Sequence, residues 1–535
     1  MRKLNANTKY QMKMVIAALM LSASVIAQTQ TFYNVVDYGA VSGGKTKIDQ
    51  AVSKAIDLAS EHGGGTIFIP AGEWLTGPIH FKSNINIHLD AGCVLKFSDD
   101  FDDYLPMVKV RWQGTECVNF SPLFYGYRCE NISITERGTI DGQGTKWWRY
   151  AEQLKAEYKK KGKIETTSKW QEMFKELNKN VIQPDIYNWT EANYMRPPFI
   201  QPYECKNVLI QGIKIINSPW WTVTPVYCED VTIDNISIYN PPESMNTDGI
   251  DPDACKNVII SNCYISVGDD CIAVKSGRDE DGRRVGKACE NITITNCVML
   301  RGHGGVSLGS EMSGGIKNVV VSNCVFDGTN KGIRIKTQRG RGASIEDARF
   351  SNIVMRNITK EAITLDMSYN EIPAEPVSEK TPKFKNIHIS NITGINCGQA
   401  GLINGLEEMP VEYVTLNDID IQAEKGFEVF NAENIEFTNI RLSVNKGSVL
   451  TAENVDGLEI GNIKPLSPPE KSLIKFNNVK NARIYNSNPG KSVKIFLEVS
   501  GSASEGIIVK NNDFRFVQKV LNISPEVDKK QIVIE

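Results

Sequence analysis

The chain has 535 residues, with 60 Lys and Arg against 63 Asp and Glu, a formal net charge of −3. That balance excludes a nucleic-acid binder relying on bulk positive charge, so any polyanionic partner has to be held by local cations. Length does not force a division into domains, because each coil of a repeat fold contacts only its neighbours.

At the N-terminus Arg2, Lys3, Lys9 and Lys13 precede an uncharged apolar run from Met14 to Ala27, ending Val25-Ile26-Ala27 before Gln28. This reads as a signal peptide over residues 1–27 of an exported protein, periplasmic or secreted. The run is short for a spanning helix, and no later segment is apolar enough to cross a bilayer. Residues 28–535 read as one domain and a monomer, capped over about 32–75. Within the cap, Ile48, Val52, Ile56 and Ala59 fall on one face of a helix from Ile48 to Ser60.

From about residue 130 a phrase recurs: a charged residue, Asn or Asp, then alternating aliphatics. Glu130-Asn131-Ile132, Lys206-Asn207-Val208, Lys256-Asn257-Val258, Glu290-Asn291-Ile292 and Lys317-Asn318-Val319 are copies, with later ones from Lys385, Glu433 and Lys480. Short alternating strands that return roughly every 20 to 39 residues between Gly/Asn/Asp turns predict one coil per repeat, an all-β single-stranded parallel β-helix. Aliphatic side chains then stack inside, and the Asn residues can bond from coil to coil. Leucine-rich repeats and propellers lack their signatures here. Cys263, Cys297 and Cys324 share one register position, which predicts a buried stack of thiols; pairing among the other nine of twelve cysteines is left open. Residues 145–195, rich in Lys and helix formers, break the repeat as a helical insertion, expected to be a surface excursion more than a lid.

Register places the chemistry in the coils of about 229–370. With Ile272/Val274, Val306/Leu308 and Ile333/Ile335 pointing inward, Arg334 and Lys336 become neighbours on the outer face. Asp269 and His303 align, and Asp248 falls beside Asp270 on the preceding coil. Singly these are turn residues and surface charges; together they place three carboxylates, a His, an Arg and a Lys on one strip. Carboxylates so close can divide into a protonated acid and an ionised base, which glycosidic hydrolysis requires. Lys275 lies in the Lys336 column, two coils away.

Taken in order, Asn246-Thr247-Asp248, Gly268-Asp269-Asp270, Gly302-His303-Gly304 and Arg334-Ile335-Lys336 resemble glycoside hydrolase family 28, the polygalacturonases and their relatives. The resemblance extends to Gly138-Thr139-Ile140-Asp141-Gly142 and covers most of residues 32 to about 400. It implies a right-handed β-helix and an inverting hydrolase of galacturonan, with neither cofactor nor metal. Asp269 would be the acid, Asp248 and Asp270 would activate water, and His303 would support the acid. Arg334 and Lys336 would bind a uronate carboxylate, with Tyr369 and Lys275 as further substrate contacts. An inverting pair is expected to stand about 6.5 to 9.5 Å apart. The insertions, including Ser368 to Lys383, favour exo-action over endo. Competing readings are a rhamnogalacturonan or xylogalacturonan hydrolase of the same fold, a calcium-dependent pectate lyase, and a non-catalytic glycan-binding β-helix.

Overall fold

Many coils start on an asparagine in the left-handed region: Asn131, Asn207, Asn257, Asn291 and Asn318 have φ of 55°, 54°, 58°, 59° and 56°. Asn tolerates this conformation because its short polar side chain can bond locally. Here it bonds between coils, with Asn131 Nδ2 donating to Asn84 Oδ1 at 2.7 Å, Asn291 to Asn257 at 3.0 Å and Asn318 to Asn291 at 3.1 Å. The preceding charges alternate in sign along the axis, so Lys206 meets Glu229 at 3.5 Å and Glu290 lies between Lys256 and Lys317 at 3.4 and 2.9 Å. Exposed pairs contribute little each, but a slipped coil would set like charges opposite one another.

The structure, a computed structural model, describes residues 31–162, 164, 167–180 and 195–535. The expected signal peptide lies outside the described residues. The chain winds as a right-handed parallel β-helix, most of its strands joined in one large sheet from Phe32–Asn34 to Ile532–Ile534. Ile272, Val306, Ile333 and Ile363 stack in register in the interior, as do Val274, Leu308, Ile335 and Leu365. All are fully buried, and each contributes about 1.5–3 kcal/mol of apolar burial. The expected thiol stack of Cys263, Cys297 and Cys324 is present and buried. A second column, Cys129, Cys205, Cys228, Cys255 and Cys289, stands just before the recurring phrase, and all twelve cysteines are buried free thiols.

Helix α1 (Asp49–Glu61) covers the N-terminal end with Val52, Ala55, Ile56 and Ala59 buried. The insertion forms α2 (Thr145–Lys161) and α3 (Lys169–Asn178), and it is more than a surface excursion. Trp147 is fully buried and stacks on Phe101 at 3.7 Å, while Asn178 bonds both backbone groups of Val118. Val118 belongs to an antiparallel hairpin, Val108–Trp112 with Thr115–Asn119, whose tip meets α4 (Asp279–Val285) at Glu116 N to Asp281 Oδ2, 3.2 Å. Among the described residues no helix is long and apolar enough to cross a membrane.

Candidate active site

The Asn246-Thr247-Asp248 turn is fixed one residue at a time. Asn246, at φ 52°, accepts a hydrogen bond from Arg196 Nη2 at 2.8 Å, and Thr247 Oγ1 ties Ser244 Oγ to the Gly268 amide at 2.7 and 3.2 Å. Asp248 is thereby directed into the floor of the strip, 3% exposed. In the next coil the Asp270 amide bonds the Asp269 side chain at 3.0 Å, so the two carboxylates diverge. Gly302 and Gly304 flank His303 because the coil beneath leaves no room: a Cβ would come within 2.5 Å of Asp269 O or 2.8 Å of Asp270 Oδ1. His303 Nδ1 then stands 3.0 Å from Asp269 Oδ1.

Asp270 is fully buried, with Oδ1 accepting from Arg334 Nη1 at 2.9 Å and Oδ2 from Lys336 Nζ at 2.7 Å. Burial alone would raise its pKa, but Lys336, Arg334 and Lys275 together outweigh it and hold the carboxyl well below the usual range. Asp248 lacks such a clamp. Burial, then the neighbouring Asp269, push it up to about 8, so Asp248 retains a proton at neutral pH. The hydrogen bond that His303 donates to Asp269 raises its imidazole above the usual value, against the opposing effect of burial.

The structure brings Asp248, Asp269, Asp270, His303, Arg334 and Lys336 together as expected, with Tyr369 above the cations, its ring centre 5.5 Å from the Arg334 guanidinium and 5.3 Å from Lys336 Nζ. One expectation changes, at Lys275. One oxygen from each of the three aspartates lies within 4.8 Å of the others. The cause is the Lys275, Arg334 and Lys336 charges, which let carboxylates from adjoining coils approach. Lys275, expected at the substrate, is 2% exposed, with its ammonium 3.5 Å from Asp248 Oδ2, 3.3 Å from Glu311 Oε2 and 4.2 Å from the Trp221 ring centre.

Three buried groups near the site were not visible in the sequence. Arg196 lies at the end of the insertion and donates to Met245 O and Pro219 O at 2.6 and 3.2 Å; burial lowers its pKa to about 9. Asp251, with neither oxygen partnered, has its pKa raised well above the usual value by burial and then by Asp248. Glu311 pairs with Lys275. Only Asp251 carried a signal, because Asp248-Gly249-Ile250-Asp251 alternates away from the inward Ile250.

Three carboxylates gathered on one face of a parallel β-helix, one protonated and one clamped in ionised form by two cations, can supply the acid and base that glycosidic hydrolysis uses. The family model for glycosyl hydrolases family 28 matches residues 188–439, and one described as rhamnogalacturonase A/epimerase, pectate lyase-like matches residues 32–157. A probable polygalacturonase of Vitis vinifera is 30% identical over 399 residues, 72% of this chain and 74% of its own. An endo-polygalacturonase of Pectobacterium carotovorum is 27% identical over 390 residues, 71% of this chain and 83% of its own. The crystal structure of a hyperthermoactive exopolygalacturonase from Thermotoga maritima aligns with TM-score 0.66 and 35% identity, covering 76% of this chain and 91% of that one. The chain belongs to glycoside hydrolase family 28 and is a glycoside hydrolase.

Proposed function

We propose that the enzyme hydrolyses α-1,4-galacturonosyl linkages of pectin with inversion, releasing sugars from a chain end. The observation that carries this reading is the clamp on Asp270: a buried carboxylate kept ionised by Arg334 and Lys336 beside the Asp248 and Asp269 carboxylates, of which Asp248 keeps a proton. Asp269 is the more accessible member of that pair, with its side chain 19% exposed against 4% for Asp248, and it delivers the proton to the glycosidic oxygen. The water sits between Asp248 and Asp270. Oxygens within 4.8 Å of each other can both accept from one water at about 2.7–2.8 Å. His303 orients Asp269 and returns its proton.

A galacturonate carboxylate fits beside Asp270, where Arg334 offers two donors and Lys336 a point charge, with the half-exposed Tyr369 ring as a platform for the sugar. As that carboxylate draws on the two cations, Asp270 gains basicity when the substrate is in place. With three cations balancing the aspartates, the reaction needs no metal or cofactor.

The hairpin supports exo-action. Tyr125, Gln201, Thr224, Asp251, Ala273, Ser307 and Arg334 follow one another along the strip, and the hairpin covers its N-terminal part. Lys109 O accepts from Tyr125 at 2.6 Å, Arg111 O from Gln201 at 3.1 Å, and Arg111 Nη1 donates to Asp253 at 2.8 Å. A polymer cannot run through that wall. Residues 1–27, read as a signal peptide, support action outside the cytoplasm.

Purified wild type and Asp269→Asn, incubated with de-esterified polygalacturonate in chelator, test the reading through reducing ends, product size and the anomer first formed. Monomer from the wild type alone, released as the inverted anomer, is expected. A ladder of oligomers overturns exo-action, a product absorbing in the near ultraviolet indicates a lyase, and no cleavage moves the substrate to branched pectins.

A further inference from the structure

Glu311 belongs to none of the four motifs. It follows the strand Gly304–Leu308 and lies where the end wall meets the catalytic floor. A Cβ on Gly114, at the hairpin tip, would stand 3.1 Å from Glu311 Cγ and 2.9 Å from the Arg278 amide, which itself donates to Gly114 O at 2.9 Å. On its other side Glu311 Oε2 is 3.3 Å from Lys275 Nζ, which is 3.5 Å from Asp248 Oδ2. A continuous line therefore runs from the hairpin tip through Glu311 and Lys275 to a carboxylate of the cluster.

We propose that Glu311 is a positioning residue that acts through Lys275 to set the charge of Asp248, with the hairpin tip seating it. The inference rests on the reading of Asp248 as one of the two water-holding carboxylates. Lys275 is a single buried positive charge for which several carboxylates compete, with Glu311 and Asp248 at ion-pair distance. With Glu311 present, part of its neutralisation is already supplied, and Asp248 is free to keep its proton. If Glu311 lost its charge, the ammonium would turn more fully on Asp248 and hold it ionised. If Lys275 lost its charge, Glu311 would add repulsion, and Asp248 would keep its proton more tightly.

Other charged and titratable groups face this line, among them the buried Asp253, whose pKa is raised by burial and which lies near both Lys275 and Glu311. Asp251 and Asp270 also face Lys275, while Arg341, Lys336 and Arg278 face Glu311. Asp269, Asp270 and Lys336 act on Asp248 directly. Against burial, Lys275 above all holds Glu311 down to about 2, so Glu311 is charged throughout the neutral range. Glu311 is likewise the strongest of the carboxylates that keep the buried Lys275 protonated. The coupling is reciprocal, as a working pair requires.

The test is an NMR titration of the full chain labelled at aspartate Cγ, with the Asp248 resonance identified by its loss in Asp248→Asn, which needs no substrate. The Asp248 midpoint is expected to fall by about one unit or more in Glu311→Gln and to rise in Lys275→Met. It should return to within about half a unit of wild type in the double variant and stay there in Glu311→Asp. The alkaline limb of kcat/KM on polygalacturonate should move in the same directions. A midpoint unmoved in Glu311→Gln, or moved the same way as in Lys275→Met, overturns the proposal. If Lys275→Met fails to fold, Glu311→Gln and Glu311→Asp decide alone. A wild type inactive on polygalacturonate defeats the substrate reading and leaves the titration to judge this one.

Discussion

Asp270 is ionised although fully buried, because Arg334 and Lys336 each donate to a different one of its oxygens. Removing one cation lets burial reassert itself, so in Lys336→Met the Asp270 pKa rises by about 1–2 units. A depressed carboxylate contributes stability that is present above its unfolded value and lost as pH falls through the folded one, so this variant is also more acid-labile. The acid limb of kcat/KM, which reports the free enzyme, is expected to move upward with it. In the wild type the alkaline limb is expected near about 8, where Asp248 loses its proton. Asp269→Asn removes proton delivery and should lower kcat by about 10²–10⁴-fold with KM little changed, as steady-state kinetics would show.

Among the elements, the Asn ladder and the inward aliphatics were legible because both are local and periodic. The sequence alone places Asn291 at the start of a coil, and its φ of 59° with bonds to Asn257 and Asn318 follows. Asn291→Ala forces a Cβ residue into that conformation, and a loss of about 1–2 kcal/mol is expected in denaturant melts. The hairpin was not legible. Val108-Lys109-Val110-Arg111 alternates like any short strand, and its role comes from Arg111 meeting Asp253, 142 residues away. The same holds for Lys275: register put it in the Lys336 column, but only the hairpin, Trp221 and Glu311 turn a surface lysine into a buried one. Arg111→Met leaves Asp253 buried and unpaired and should destabilise the protein by about 3–5 kcal/mol. If the hairpin is the end wall, the variant also releases some longer oligomers, which product chromatography would detect.

On the scale of the molecule, the family match stops at residue 439, but the coils run on through Val411–Pro465, Ser472–Tyr485 and Val493–Ser500. The sequence shows no site motif here, only the packing pattern. They share the same interior, with Leu450, Ile474 and Leu497 in register and fully buried. A solenoid has no closed edge until its last coil is covered. Ending the chain at Leu466 would strip Leu450, Ala452, Leu458 and Ile460 of the coil that pairs with them and present an open parallel edge. Each coil contacts only its neighbours, so the catalytic strip, whose last named residue is Tyr369, should survive while the new end associates. Sedimentation of the truncated protein is expected to show dimers or larger species with kcat per chain preserved. A monomer of full activity would mean that the coils before Leu466 cap themselves, and a loss of kcat would mean that the C-terminal coils support the strip from a distance.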